Sequence, residues 1–162
     1  MSFTVVIPAR YGSERLPGKV LCDIAGQPLI QYVHQCAVAS GAARVIIATD
    51  ERRVEDAALA FGAEVVMTDP GHRSGTDRIA EALAIVELSD DTIVVNLQGD
   101  EPQMPPGLVS QVASLLVDTP GADIATLVEP IDDRARIFDP NLVKVVAGVD
   151  GRAMYFSRAP IF

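Results

Sequence analysis

The chain has 162 residues, 49% hydrophobic and 22% charged, with a formal net charge of −9. This length fits one domain with material for a real core, and the composition argues against disorder. The acidic balance, 22 Asp plus Glu against 13 Lys plus Arg, argues against a general nucleic-acid surface, although an anion can still bind where cations concentrate locally.

FTVVIPA (3–9) is a short, continuous, β-branched run and reads as a buried strand. The polar segment RYGSERLPGK follows at once. VLCDIAG (20–26) reads as a short strand and turn, and Pro28 as the first helical position. Ile30, Val33 and Ala37 keep helical spacing up to Gly41. ARVIIATD (43–50) is a second buried strand, with Asp50 placed to cap the next helix. The face of that helix is Val54, Ala57, Ala58 and Phe61, and Gly62 closes it. AEVVMT (63–68) is a third strand. After the loop DPGHRSG, Ser74 and Asp77 resemble a capping box, and Ile79, Leu83 and Val86 form a helix stripe. DTIVVNLQGD (91–100) contains a fourth strand. Pro105 and Pro106 open a helix carrying Leu108, Val112 and Leu115. DIATLVEPI (123–131) reads as a fifth strand, and 143–157 as a hairpin around Val149, Asp150 and Gly151.

Strands alternating with helices predict an α/β fold: a mostly parallel, Rossmann-like sheet with helices on both faces and an antiparallel hairpin near the C-terminus. Residues 1–162 read as a single domain. Cys22 and Cys36 lack metal spacing and read as thiols in a reducing compartment. No apolar stretch has membrane-spanning length, and no basic region precedes the first apolar run, so neither a membrane span nor a signal peptide is expected. A cytoplasmic protein is the expectation. The ending AMYFSRAPIF is an apolar run without a polar tail, which reads as the end of a fragment.

In open parallel sheets, ligands sit beyond the carboxyl ends of strands. Three polar loops leave such ends. The first holds Arg10, Arg15 and Lys19 against Glu14 alone, with Gly12 and Gly18 allowing close backbone approach. Arginine forks and a lysine point charge suit phosphate oxygens, and Gly12 and Ser13 can aim N–H groups at one. The segment is either a solvated turn or a triphosphate cradle, and its place after the first strand favours the cradle. GxxxxGK[ST] does not occur in it. In the third loop, Asp100 and Glu101 are either plain turn residues or carboxylates for Mg²⁺, with Asp100 preferred as nearer the strand. Gln98 offers an amide to a polar substrate. The second loop offers His72, Arg73, Ser74 and Thr76 at a helix start, which either caps the helix or also holds an anion or base edge. His72 is not expected to bind metal, because His34 falls within a predicted helix. Arg78 is either an outer-face residue or reaches the site. Lys144 and Arg158 flank the hairpin, as surface charges or as partners of an acid substrate.

IPARYGSERLPGK resembles the nucleotide-binding signature of sugar nucleotidyltransferases. With ATD (48–50), HRSGTDR (72–78), NLQGDEP (96–102), NLVKVV (141–146) and YFSRAPI (155–161) in order, the whole chain resembles the 3-deoxy-manno-octulosonate (Kdo) cytidylyltransferase family. The resemblance implies the nucleotide-diphospho-sugar transferase type of fold. It implies a reaction in which CTP binds with Mg²⁺, the anomeric hydroxyl of Kdo attacks the α-phosphorus, and pyrophosphate leaves. The product, CMP-Kdo, feeds lipopolysaccharide biosynthesis. By matching position, Arg10, Ser13, Arg15 and Lys19 would hold the triphosphate, with Arg10, Lys19 and Asp100 central to catalysis. Pro8, Ala9, Gly12, Arg73, Ser74, Gly75 and Thr76 would line the cytidine side. Asp100 would bind Mg²⁺, and Gln98 and Arg158 would face Kdo. Members of the family are longer, and their second half is expected to supply another metal-binding aspartate, sugar contacts and most of a homodimer surface. A non-catalytic CTP-binding fragment, and a cytidylyltransferase for another acid sugar such as sialic acid, are the alternatives. Neither nucleic acid nor membrane is an expected partner.

Overall fold

A computed structural model describes residues 2–12 and 16–161. The leading apolar run forms β1 (Phe3–Pro8), buried along nearly its whole length. Lys19–Leu21 form a 3₁₀ turn. The two-residue strands β2 (Asp23–Ile24) and β3 (Gln27–Pro28) pair across Ala25 and Gly26, whose φ values of 52° and 87° match a type I′ turn. Then follow α1 (Leu29–Ala39), β4 (Arg44–Thr49), α2 (Arg52–Ala60) and β5 (Glu64–Met67). α3 (Gly75–Ile85), β6 (Ile93–Asn96) and α4 (Pro106–Asp118) complete a first compact unit, residues 1–125.

The sheet of this unit is wholly parallel, in the order β5-β4-β1-β6. Strand alternation divides its side chains between two faces. Phe3, Val5, Ile7 and Ala9 pack with Val33 and Ala37 of α1, Val54 and Ala58 of α2, and Val109 and Ala113 of α4. On the other face Val6, Ile46, Ala48 and Val66 lie with Ile79 and Ala82 of α3. Burial on both sides explains why these strands read as unbroken apolar runs. Each fully buried Val or Ile contributes about 1.5–3 kcal/mol. From β1 the chain crosses to β4 on one side, while β6 returns on the other. The order therefore reverses at β1/β6, and a crevice opens beyond those strand ends.

Three expectations change. Pro28 precedes α1 as its N-cap rather than opening it; with φ −66° and ψ 145° it is spent on pairing in β3. Asp50 does not cap α2; Glu51 does, accepting from the Arg53 amide at 3.4 Å. Residues 124–132 carry no regular secondary structure. Their β-branched pattern finds no neighbouring strand to pair with, and Ile124 and Val128 remain exposed.

The second unit, residues 126–162, holds a 3₁₀ turn (Arg134–Phe138) and an antiparallel hairpin of β7 (Lys144–Ala147) and β8 (Ala153–Ser157). Lys144 is buried there, and its ammonium donates to the carbonyls of Asp139, Leu142 and Arg158. That placement makes it an internal staple of the unit.

Candidate functional site

At the carboxyl ends of β1 and β6 lies a cavity of about 420 Å³. β1 delivers Pro8 and Arg10 to its wall, β6 delivers Gln98, Gly99 and Asp100, and the start of α3 delivers Ser74 and Gly75. Gly12, Lys19, Val20, His72 and Arg78 complete the lining.

The backbone makes these approaches possible. Gly99 lies so close to β1 that a Cβ on it would meet the Pro8 carbonyl oxygen at 3.0 Å. The Glu101 amide donates to the Gln98 carbonyl at 3.2 Å, turning the chain immediately after β6. At the other rim, Ser74 Oγ accepts from the Asp77 amide at 3.1 Å and donates to Asp77 Oδ2 at 2.7 Å. This cap starts α3 with its positive end at the cavity, a favourable place for an anion.

Charge in the cavity is largely paired off. Lys19 Nζ lies 2.5 Å from Asp100 Oδ2. Arg78, 2% exposed, donates to Asp50 Oδ2 at 2.8 Å and to Thr68 Oγ1. Arg10 lines the same cavity, and among the described residues its guanidinium has no hydrogen bond or ion pair. It is the cation with its donors unspent. His72 Nε2 sits 2.5 Å from Glu81 Oε2, which also accepts from the Asp69 amide at 2.7 Å. That amide bond first, and His72 second, hold the Glu81 carboxyl below its ordinary value. Desolvation raises Glu101, and the Asp100 charge beside it adds to the shift. Asp100, and not Glu101, lines the cavity wall.

Arg10, Lys19 and Asp100 share this one cavity with Pro8, Gly12, Ser74, Gly75 and Gln98. Gln98 Nε2 donates to Asn96 Oδ1 at 2.8 Å. Ala9 turns its methyl into the core with Ile7, as alternation along β1 dictates. Arg73 and Thr76 are exposed on either side of the α3 start and do not line the cavity. Ser13 and Arg15 fall outside the described residues. Arg158 belongs to the second unit, where its guanidinium donates to the carbonyls of Pro140 and Asn141 at 3.1 and 3.4 Å. Sequence reasoning missed the roles of Asp50 and Gly99. The available signal for Asp50 was an acid at a strand's carboxyl end, the same signal that singled out Asp100.

The sequence matches the family model described as cytidylyltransferase over residues 4–162. The chain belongs to the cytidylyltransferase family. The chain is 58% identical to a 3-deoxy-manno-octulosonate cytidylyltransferase of Chromohalobacter salexigens, over 97% of its own length and 61% of that protein. It is 56% identical to the protein of the same name in Vibrio cholerae, over 99% of this chain and 64% of the other. It thus spans a little over three-fifths of the curated relatives it matches. A solved CMP:2-keto-3-deoxy-manno-octonic acid synthetase, complexed with CTP, superposes with a TM-score of 0.91 at 45% identity, covering 99% of this chain and 66% of that one. A cytidylyltransferase structure from Leptospira borgpetersenii, at 23% identity and TM-score 0.62 over 75% of this chain and 51% of that one, shares the fold.

Proposed function

We propose that this cytidylyltransferase chain binds CTP in the β1/β6 cavity and takes part in transferring CMP to Kdo, with release of pyrophosphate. The observation that carries the reading is the convergence of Arg10, Lys19 and Asp100 in one cavity beside the α3 N-terminus. The names of the relatives, and the CTP in the structural neighbour, supply the nucleotide and the sugar.

Displacement at phosphorus needs alignment and charge neutralisation more than covalent help. Arg10 and Lys19 bind the polyphosphate and carry the charge that builds on the leaving pyrophosphate. The Ser74–Gly75 helix start and Pro8 hold the nucleoside side, and Gln98 orients the sugar. Arg158 is proposed to pair with the Kdo carboxylate.

Asp100 provides one carboxylate, and the described residues hold no cluster of three or more His, Cys, Asp or Glu side chains able to bind a metal. Such a sparse donor set suits Mg²⁺, which takes one or two carboxylates and fills its shell with water and substrate phosphates. When bound, Mg²⁺ would offset phosphate charge and increase the electrophilicity of the α-phosphorus. Among the described residues no helix is long and apolar enough to cross a membrane, and a cytoplasmic place of action accords with CTP as substrate.

The alternative is a chain that binds CTP without completing transfer. Titration calorimetry with CTP and Mg²⁺, beside a pyrophosphate-release assay with Kdo and with sialic acid, separates these. CTP binding with Kdo-dependent release supports transfer. Binding alone selects the second reading, and absence of CTP binding overturns both.

A further inference from the structure

The Arg53 side chain lies outside the cavity lining, yet it is tied to the segment that carries the phosphate-binding cations. Tyr11 follows Arg10 directly, and its carbonyl accepts from the Gly18 amide at 2.8 Å. This bond joins the residue after Arg10 to the residue before Lys19. The Tyr11 ring also lies against Gly18: a Cβ built there would fall 2.9 Å from the ring, and the backbone is left-handed at φ 72°. The Arg53 guanidinium sits over the ring, 3.9 Å from its centroid. Arg53 is itself anchored, with Nε and Nη2 donating to the two carboxylate oxygens of Glu51 at 3.0 and 3.2 Å. Glu51 caps α2, directly after the end of β4.

A continuous series therefore runs from the α2 cap through Arg53 and Tyr11 to Gly18. We infer that Arg53 is a positioning residue: by holding the Tyr11 ring against Gly18 it fixes Arg10 and Lys19 at their mutual spacing and so sets affinity for polyphosphate. The inference rests on the phosphate-binding reading of the cavity. A Tyr11–Gly18 contact not already held would have to be made at the moment of binding, and that cost falls on affinity rather than on the chemical step. An exposed cation over a partly buried aromatic ring justifies an effect of about two- to fivefold.

The experiment compares wild type with Arg53→Met, which keeps the stem and removes the charge, and with Arg53→Lys, which keeps a cation for the ring. The Arg53 side chain is 61% exposed, so both variants should fold. Three quantities are read: exchange of the Gly18 amide proton in the free protein, calorimetric affinity for inorganic tripolyphosphate and CTP, and the KM–kcat split for CTP where turnover is present. Arg53→Met should speed Gly18 exchange and weaken both anions about two- to fivefold, raising KM with kcat held. Arg53→Lys should recover most of the loss. Unchanged exchange or tripolyphosphate affinity in Arg53→Met, or equal impairment in Arg53→Lys, overturns the inference. If wild type binds tripolyphosphate but not CTP, the nucleotide reading fails while the variant comparison still decides the role of Arg53. If wild type binds neither, the inference falls with it.

Discussion

Lys19 Nζ and Asp100 Oδ2 lie 2.5 Å apart, joining the start of the 3₁₀ turn to the turn after β6. The two side chains are 35% and 47% exposed, so the pair adds only about 0–1 kcal/mol to folding. An ion pair this weak is easily exchanged. On the proposed function, an incoming polyphosphate would take Lys19 and leave Asp100 free for a cation.

Lys19→Ala should therefore leave the urea midpoint almost unchanged. It should weaken CTP binding about ten- to hundredfold, the worth of one charge-assisted hydrogen bond. Asp100→Asn should keep the fold and abolish the gain in CTP affinity on adding Mg²⁺. Calorimetry with and without Mg²⁺ measures both effects. Equal Mg²⁺ gain in wild type and Asp100→Asn would remove Asp100 from the metal role.

The Arg78–Asp50 pair behaves differently, because its side chains are only 3% and 17% exposed. Arg78→Met strands a carboxylate beneath α3 and should cost about 3 kcal/mol. The double variant Arg78→Met/Asp50→Leu should recover a large part of that loss, since no lone charge remains. Urea denaturation of the two single variants and the double variant tests the coupling, and simple additivity of the singles would contradict it.

Gly99→Ala pushes a methyl to 3.0 Å from the Pro8 carbonyl oxygen and 3.5 Å from Ala9 Cβ. The ends of β1 and β6 must then separate, at a cost of about 1–3 kcal/mol. Among the described residues, Gly12→Ala meets nothing within 4 Å and should change stability by less than about 0.5 kcal/mol. Thermal melts of the two variants provide the contrast.

Stability should fall in acid partly through Glu81, whose carboxyl is held below the ordinary 4.5 by the Asp69 amide and then by His72. A lowered native value means that the stabilisation is present above the unfolded value. It is withdrawn as pH falls through the native one. Glu81→Gln should narrow the stability difference between pH 7 and pH 3, as read from urea midpoints. An identical pH dependence in wild type and variant would count against this contribution.

The strands of the sheet were readable because burial on both faces leaves unbroken apolar runs such as FTVVI and VIIA. The cationic segment after β1 was readable because its charge contrasts with an acidic chain. The Asp50–Arg78 pair was not. Its members lie 28 positions apart, and their meeting depends on how α3 crosses the sheet, which no local pattern records. Residues 123–131 misled for the opposite reason. Their side chains favour extended backbone, but a strand also needs a partner, and they pair with neither edge of the sheet β5-β4-β1-β6. Arg53 escaped notice because a cation in the first turn of a helix looks like any other surface charge.

The parallel ladder that sets Val6 beside Asn96 has a consequence for how such a protein can diversify. Arg10 and Asp100 follow neighbouring strands, β1 and β6, whose main chains are held about 5 Å apart by backbone hydrogen bonds. The segment at 69–76, by contrast, enters from the far side of the crevice and answers to none of that bonding. On the proposed function, substitutions in that rim would redraw the choice of nucleobase without moving the strands beneath Arg10 and Asp100.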